Sequence, residues 1–425
     1  MNSAPRCPAS ARRVALALAM LAAAAPSFAA EHPEADETRM LIPSMSYDAD
    51  AGGVLGGGRR SGAAYDGLLH LRLRWIVPGD SDWRGTSAFV DVRNVHGGHL
   101  SQLAGDAQGV DNIEAPGGTD IHELWAQHNF LWSGVSVLAG LYDVNSEFDR
   151  LQAAGLFLNS SFGVTPEFAA SGGSGASIYP HTAAALRLSA KPWHGTLLRA
   201  AVVDGASFAR ADGSHALIRH GDGLVGLVEW NLLRKPDAVG DEPTVPRIFG
   251  RFTPLPTYED KIAVGAWRYT TKFAQTGPVE VPDDGLRHPS QGGYVIGEWR
   301  LLGRGADAKR RLSGFAQFGG ASQATNRFDR YWGGGLVGSG WLFGRDSDQV
   351  GLSVASARQS PTYRERAAAA GVASSRAETS VELSWLTQPA TWMILEPDLQ
   401  RVNHPDADPR LRDAWVVQLR SELTF

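Results

Sequence analysis

Apolar and polar side chains alternate residue by residue in many separate segments between Leu69 and Phe425. The segment LHLRLRW, residues 69–75, places Leu and Trp on one face and His and Arg on the other. Residues 415–425 show the same pattern and end on Phe425. A period of two is typical of a β-strand whose two faces meet different surroundings. The spans 223–230 and 262–269 are ambiguous, but the pattern as a whole predicts an all-β fold over residues 67–425.

Alternation of this kind fits either a soluble sandwich or a transmembrane antiparallel β-barrel, in which the apolar face meets lipid and the charged face meets a wet lumen. Three features favour the barrel. Several of the 13 tryptophans stand at predicted strand ends, as an aromatic belt requires. Short and long connections alternate, and the last strand closes on an aromatic residue. About 14 to 18 strands fit the length. The predicted belt residues are Trp75, Trp132, Trp193, Trp332, Trp341 and Trp392.

The first 29 residues have the three parts of a secretory signal peptide: a basic leader, an apolar run and a small-residue cleavage site. Residues 30–66 are polar and Gly-rich and are interpreted as a flexible periplasmic segment. The one cysteine, Cys7, lies in the leader, so the exported chain has no disulfide framework. No later apolar run is long enough for a membrane helix, and only a closed barrel could then satisfy the backbone within a bilayer.

One connection is unusually long. Strand-like alternation stops at Tyr142 and resumes only near Leu186, and the intervening residues are rich in Asn, Ser, Gly and Pro. A connection of that length is normally functional or disordered, and its five aromatic residues argue against disorder. Asn145 and Asn159 are expected to shape it through Asx turns.

Within and around this connection the chain resembles the carbohydrate-selective porins of Gram-negative outer membranes. The similar segments are GLYDVNSEFD (140–149), AAGLFLNSSFG (153–163), SIYPHTAAALRL (177–188) and residues 377–405. The resemblance implies a barrel of about 16 strands in which residues 143–182 fold inward as a constriction loop. It also implies a passive, sugar-selective channel for solutes such as glucose, and an assembly signal at Phe425.

The strand pattern and the loop together predict the residues that face the channel. Paired charges and aromatic rings suit a neutral sugar, which offers hydroxyl groups and an apolar C–H face. Arg and carboxylate side chains can grip hydroxyls without obstructing flow. The predicted pore-lining residues are Arg72, Arg74, Asp91, Arg93, Asp143, Glu147, Phe148, Arg187, Arg199, Glu382, Glu396, Asp398, Arg420 and Glu422.

Other chemistries find little support in the sequence. The 12 histidines lack carboxylate partners at ligand spacing, so no metal site or cofactor is predicted. The net charge of −5 argues against nucleic-acid binding. Three alternatives stay open: a channel for organic acids or general small polar solutes, an outer-membrane barrel enzyme with a Ser/His site, and a secreted carbohydrate-binding β protein. The expected partners are small sugars, outer-membrane lipids and the assembly machinery; the sequence does not choose between monomer and trimer.

Overall fold

The computed structural model describes residues 41–78, 81–130, 133–208, 217–219, 221–234, 259–283, 285–304, 309–342, 345 and 348–425. The predicted signal peptide, residues 1–29, and Trp132 lie outside the described residues. No helix among the described residues is long and apolar enough to span a membrane.

Sixteen antiparallel strands in the described part of the chain form one closed barrel, in which each strand pairs with its neighbours in sequence. The first and last strands pair directly, for example at Asp50 and Arg420, so the sheet has no free edge. The predicted all-β barrel is confirmed. The strands are β1 Leu41–Gly58, β2 Gly62–Ile76, β3 Thr86–Gly97, β4 Gly118–Phe130, β5 Val135–Tyr142, β6 Ala183–Ala190, β7 Thr196–Asp204, β8 Leu224–Arg234, β9 Asp260–Ala274, β10 Arg287–Leu302, β11 Arg311–Ala321, β12 Phe328–Ser339, β13 Gln349–Gln359, β14 Ala377–Ala390, β15 Met393–Asn403 and β16 Arg412–Thr424.

The flexible segment predicted for residues 30–66 is wrong from Leu41 onward. Residues 41–58 form β1, which pairs with both β2 and β16 and closes the barrel. The glycines are needed here because the backbones of β1 and β16 approach closely. At Gly57, which has a φ of 73°, a Cβ atom would lie 1.8 Å from the Asp413 carbonyl oxygen. Small residues therefore allow the bulged end of β1 to lie close to β16. Residues 30–40 lie outside the described residues.

The two faces of the strands are used as the alternation predicts. Leu71, Leu73 and Trp75 are exposed on the outer surface, whereas His70, directly before Leu71, is buried inside. Of the predicted belt residues, Trp75, Trp193, Trp332 and Trp341 are exposed and Trp392 is half-buried. Such an apolar outer band matches the lipid-facing surface of a membrane barrel.

The connections differ between the two ends of the barrel. One end, which we call the turn rim, carries short connections such as 77–85, 191–195 and 391–392, and also the longer connection 235–259 between β8 and β9. The opposite end, the loop rim, carries the long connections 98–117, 143–182 and 360–376. These contain three short α-helices: α1 Leu100–Ala104, α2 Pro166–Ala169 and α3 Pro361–Ala369. In transmembrane barrels the longer loops are the extracellular ones.

The apolar core lies inside the barrel and is made by the constriction loop, residues 143–182. Phe148, Phe157, Phe162 and Phe168 are each almost fully buried and pack against apolar side chains of the wall. The rings of Phe168 and Trp267, for example, have centroids 4.7 Å apart. This packing explains the ambiguous spans at 223–230 and 262–269, because β8 and β9 carry apolar residues toward lipid and toward the loop alike.

Candidate functional site: the narrowed lumen

The constriction loop is held in the lumen through its own backbone. Glu229, Glu298 and Glu382 on the wall accept hydrogen bonds from main-chain N–H groups of the constriction loop. Glu378 accepts in the same way from Gln108 in the connection 98–117. We call these four residues the anchor glutamates. Glu298 accepts from Gln152 at 3.1 Å and from Ala153 at 2.8 Å. These hydrogen bonds join wall side chains to the main chain of the loop, so they do not depend on the identity of the loop's side chains. The wall therefore fixes the path of the loop.

The remaining anchors are spread around the barrel. Glu229 on β8 accepts from the Asp149 N–H at 2.8 Å, and Glu382 on β14 accepts from the Leu158 N–H at 2.5 Å. Because these strands lie far apart in the barrel, the loop reaches from β5 across the lumen to its opposite wall. The predicted inward-folded constriction loop is confirmed.

Turns within the loop use side chains as expected. The Asp143 carboxylate accepts from the Asn145 N–H at 2.8 Å, and the Asn159 side chain accepts from the Ser161 N–H at 3.1 Å. The Asn145 amide also donates to the Gly163 carbonyl at 2.8 Å, which draws two parts of the loop together. Both asparagines thus maintain loop shape, as the sequence predicts.

A second connection, residues 98–117, also enters the lumen, which the sequence did not indicate. Gln400 and Gln418 on the wall both donate to the Val110 carbonyl at 2.7 Å. Arg420 bonds Asp50 on β1 and also reaches Asp111, with an Nη2 to Oδ1 distance of 3.0 Å. We call this segment the first inward loop. It meets the constriction loop where the Ser160 N–H donates to the Gly109 carbonyl.

A charged cluster lies where β2, β3 and β4 face the junction of the two loops. It consists of His70, Arg72, Asp91, Arg93, Asp120, His122, Asp143 and Tyr179. Within it, Arg93 makes a bidentate pair with Asp120 at 2.6 and 2.8 Å. Asp91 is bonded by His70 at 2.8 Å and approached by Arg72 at 3.5 Å. Every charge faces an opposite charge or a hydrogen-bonding partner, so the cluster has little net charge to attract ions.

The loop contributes the aromatic member of the cluster. The Arg93 guanidinium lies 4.8 Å from the centre of the Tyr179 ring, a cation–π geometry. The Tyr179 hydroxyl donates to the Ile113 carbonyl of the first inward loop. His122 packs edge-on against the same ring at 5.9 Å and reaches Asp143 at 3.3 Å. Arg72, Asp120, Asp143 and Tyr179 keep partly exposed surface, so they can be reached by a solute.

The predicted pore-lining residues separate into two groups. Arg72, Asp91, Arg93 and Asp143 belong to the charged cluster, in which Arg72 and Asp143 are partly exposed and Asp91 and Arg93 are buried. Arg74 on β2 is partly exposed as well. The others are fully or almost fully buried. These are Glu147, Phe148, Arg187, Arg199, Glu382, Glu396, Asp398, Arg420 and Glu422.

Phe148 is the plainest case of a residue that does not line the passage. Its side chain has no exposed surface and belongs to the apolar core. Arg187 and Glu382 are likewise fully buried and bond to the loop. The expectation that they face the channel is wrong because the loop covers them, which alternation along a strand cannot reveal.

The sequence missed His70, Asp120, His122 and Tyr179. His70 alternates with Leu residues on β2, which was a usable signal that it faces inward. The register of β3 and β4 shifts between Asp91 and Val92, which leaves His122 as the extra residue on β4. Alternation counted back from Leu124 therefore places Asp120 and His122 on the wrong face. Among the described residues, no group of three His, Cys, Asp or Glu is placed to hold a metal ion.

Glu167 is a buried acid within the loop. Its carboxylate occupies the space beside Gly319 of β11, where a Cβ would lie 1.5 Å from Oε1. Burial raises the pKa of Glu167 to about 7. Burial also raises the pKa of nearby Asp149, and the Glu167 charge adds to that effect. The docked loop therefore binds protons that the released loop would give up.

This proton uptake predicts that loop docking weakens as pH rises. The loss of docking free energy begins near the ordinary glutamate pKa of 4.5 and grows until about pH 7. Above that pH the loss stays constant. For Glu167 it amounts to roughly 3 kcal/mol. We expect Glu167→Gln to raise the denaturation midpoint at pH 8 and to leave it nearly unchanged at pH 4. Equal denaturation midpoints for the variant and the wild type at pH 8 would contradict this proton linkage. The control is Glu365→Gln, on the exposed face of α3.

A closed sixteen-stranded barrel with an apolar outer band and a lumen narrowed by inward loops defines a porin-type channel. The family profile described as carbohydrate-selective porin, OprB family, matches residues 81–425. The chain belongs to the carbohydrate-selective porin family, and this family and fold place it in the outer membrane of a Gram-negative bacterium.

Solved structures of porins share the fold. The high-pH structure of Pseudomonas putida OprB is 19% identical with a TM-score of 0.73, covering 91% of this chain and 94% of that one. The low-pH structure of the same protein is 15% identical with a TM-score of 0.55, covering 91% and 92%. The outer-membrane channel DcaP of Acinetobacter baumannii is 11% identical with a TM-score of 0.52, covering 91% and 97%. No curated protein sequence matches the chain significantly.

Proposed function

We propose that the channel passes small neutral sugars such as glucose, and that the charged cluster is the point at which they are selected. The observation that carries this is the pairing of opposite charges in the cluster, above all Arg93 with Asp120 and Arg72 with Asp91. A lining of paired charges offers many donors and acceptors but little net charge. It therefore suits hydroxylated, uncharged solutes better than ions.

The partly exposed members give the sugar its contacts. The Arg72 guanidinium and the Asp120 and Asp143 carboxylates supply donors and acceptors to sugar hydroxyls, and Tyr179 supplies an aromatic edge. Arg74, also on β2, supplies a further hydrogen-bond donor. Such contacts are individually weak and exchange with water, as rapid passage requires. Diffusion through this site needs no covalent step, and we propose that the protein acts only as a channel and not as an enzyme.

Glucose should reduce single-channel conductance in a planar bilayer at millimolar concentration, and Arg72→Ala should weaken that block. Loss of one charge-assisted hydrogen bond makes the block about tenfold weaker. Arg60→Ala is the control, because Arg60 is exposed in the β1–β2 turn, away from the cluster. Indifference to glucose together with anion-selective current would favour a channel for organic acids and would overturn the proposal.

We also propose how the chain is exported and assembled in the outer membrane. The signal peptide of residues 1–29 would direct the chain to the periplasm. Phe425 would be recognised by the outer-membrane assembly machinery, since its side chain is 52% exposed at the turn rim while its backbone pairs with Met45. The apolar outer band would contact outer-membrane lipids directly.

A further inference from the structure

The outer surface carries a groove where β6 to β9 pass near the loop rim. Its floor is made of small residues on three adjacent strands, Ala200, Gly226 and Ala266, and its volume is about 460 Å³. Leu186 and Val228 stand at its sides, and each is about half exposed, at 55% and 46%. Small residues below tall apolar ones make a recess that a lipid chain can fill.

Cationic side chains stand at the end of this groove nearer the loop rim. Along the outer face of β9, apolar Ile262, Val264 and Ala266 give way to Arg268, Thr270 and Lys272. This change marks the level at which lipid tails end and headgroups begin. Neither neighbouring strand sets an acid opposite Arg268, since its partners are Gly226 on β8 and Gln291 on β10. Lys272 is paired with Pro289.

A second recess of about 570 Å³ adjoins the first and shares Ala266 and Trp267 with it. Its lining mixes apolar residues with the polar side chains of Gln291, Ser322, Asp329 and Arg330. Arg330 lies directly opposite Arg358 on β13, and like charges in this position repel each other. Asp329 offsets them only in part, with a distance of 3.9 Å to Arg330. A bound anion would relieve the repulsion.

We propose that this surface of β6 to β13 binds a phosphorylated glycolipid of the outer leaflet. An acyl chain would lie in the apolar recess, and phosphate groups would pair with Arg268, Lys272 and Arg330. Phosphate is the group that arginine and lysine recognise most strongly at a membrane surface. The inference depends on the barrel lying in the outer membrane and not on which solute it passes.

The test is lipid binding to the intact barrel in a neutral detergent, followed by native mass spectrometry. The probes are diphosphoryl lipid A, zwitterionic phosphatidylethanolamine and inorganic phosphate alone. We expect the barrel to retain diphosphoryl lipid A preferentially, and Arg268→Ala with Lys272→Ala to lower that affinity about 30-fold, or about fivefold for each cation. Arg401→Ala is the matched control, because Arg401 is an outward-facing arginine already paired with Asp413 at 2.9 Å.

Three results would overturn the proposal: equal affinity of wild type and double variant for diphosphoryl lipid A, equal retention of phosphatidylethanolamine, or binding of inorganic phosphate as tight as that of the lipid. Arg330→Ala provides a second variant on the adjoining strands and should also weaken retention. Heat-modifiable migration in gels checks that each variant is folded. Glucose block measured on the same variants should not change, so failure of lipid binding is distinguishable from failure of the sugar channel.

Discussion

Replacing two anchor glutamates, Glu298→Gln and Glu382→Gln, should open the channel. Each glutamate uses its carboxylate oxygens to accept N–H groups of the constriction loop, from Gln152 and Ala153 at Glu298 and from Leu158 and Asn159 at Glu382. Glutamine has the same shape but keeps only one acceptor oxygen, and its NH2 group then faces a backbone N–H. Each change costs about 2 kcal/mol of docking free energy, so both together shift the ratio of docked to released loop about a thousandfold.

The measurement is single-channel conductance with and without glucose. We expect the double variant to show larger and noisier current and to lose the block by glucose, while the barrel itself stays folded. Glu365→Gln, on the exposed face of α3, is the matched control and should behave as wild type. Unchanged conductance and unchanged glucose block in the double variant would show that wall carboxylates do not hold the loop.

Removal of Arg187 should have the largest effect on stability. Its guanidinium is fully buried between β6 and the loop, where Nε lies 2.7 Å from Glu147 Oε2. It also donates to Ser136 Oγ at 2.8 Å and to Gln127 Oε1 at 2.7 Å. Arg187→Met keeps much of the volume but leaves the Glu147 carboxylate without its main partner. Breaking a buried pair on one side costs about 3–5 kcal/mol.

A double-mutant cycle makes this test specific. If the cost comes from an unpaired buried charge, Arg187→Met combined with Glu147→Gln should recover part of the lost free energy of unfolding, because Tyr142 can still bond to residue 147. Arg410→Met is the control: its pair with Asp408 is exposed at the surface, and we expect no measurable change. Strictly additive losses in the cycle would contradict the proposed coupling.

The sequence predicted the wall better than the contents of the barrel. Leu71, Leu73 and Trp75 face outward and His70 and Arg72 inward as alternation requires, because side-chain direction in a strand is a local property. The position of the constriction loop followed from its length and its aromatic residues, and its inward path was implied by the resemblance to a family. Alternation could not predict whether an inward-facing residue is covered by the loop or exposed to the lumen. Glu382 and Arg72 have the same local pattern, yet one is covered by the loop and the other is partly exposed.

The Gly-rich segment at residues 52–58 is a strand that the sequence pattern did not predict. Its composition suggested flexibility, whereas in the barrel it is part of the strand that closes the sheet. A strand without large side chains gives a weak alternation signal, and its pairing partner β16 is more than 350 residues away in the sequence. Only the closed sheet supplies the hydrogen bonds that fix this segment.

By itself, the order of residues determined that the chain forms strands with one apolar and one polar face, and that one long connection departs from this pattern. Those properties depend on neighbours a few positions apart. The tertiary structure alone decided which polar residues would meet each other or a solute, because loops and distant strands come together only when the barrel closes. Arg93 on β3 pairs with Asp120 on β4 beside a bulge, and it lies over the ring of Tyr179, which the constriction loop contributes. Arg420 on the last strand bonds Asp50 on the first.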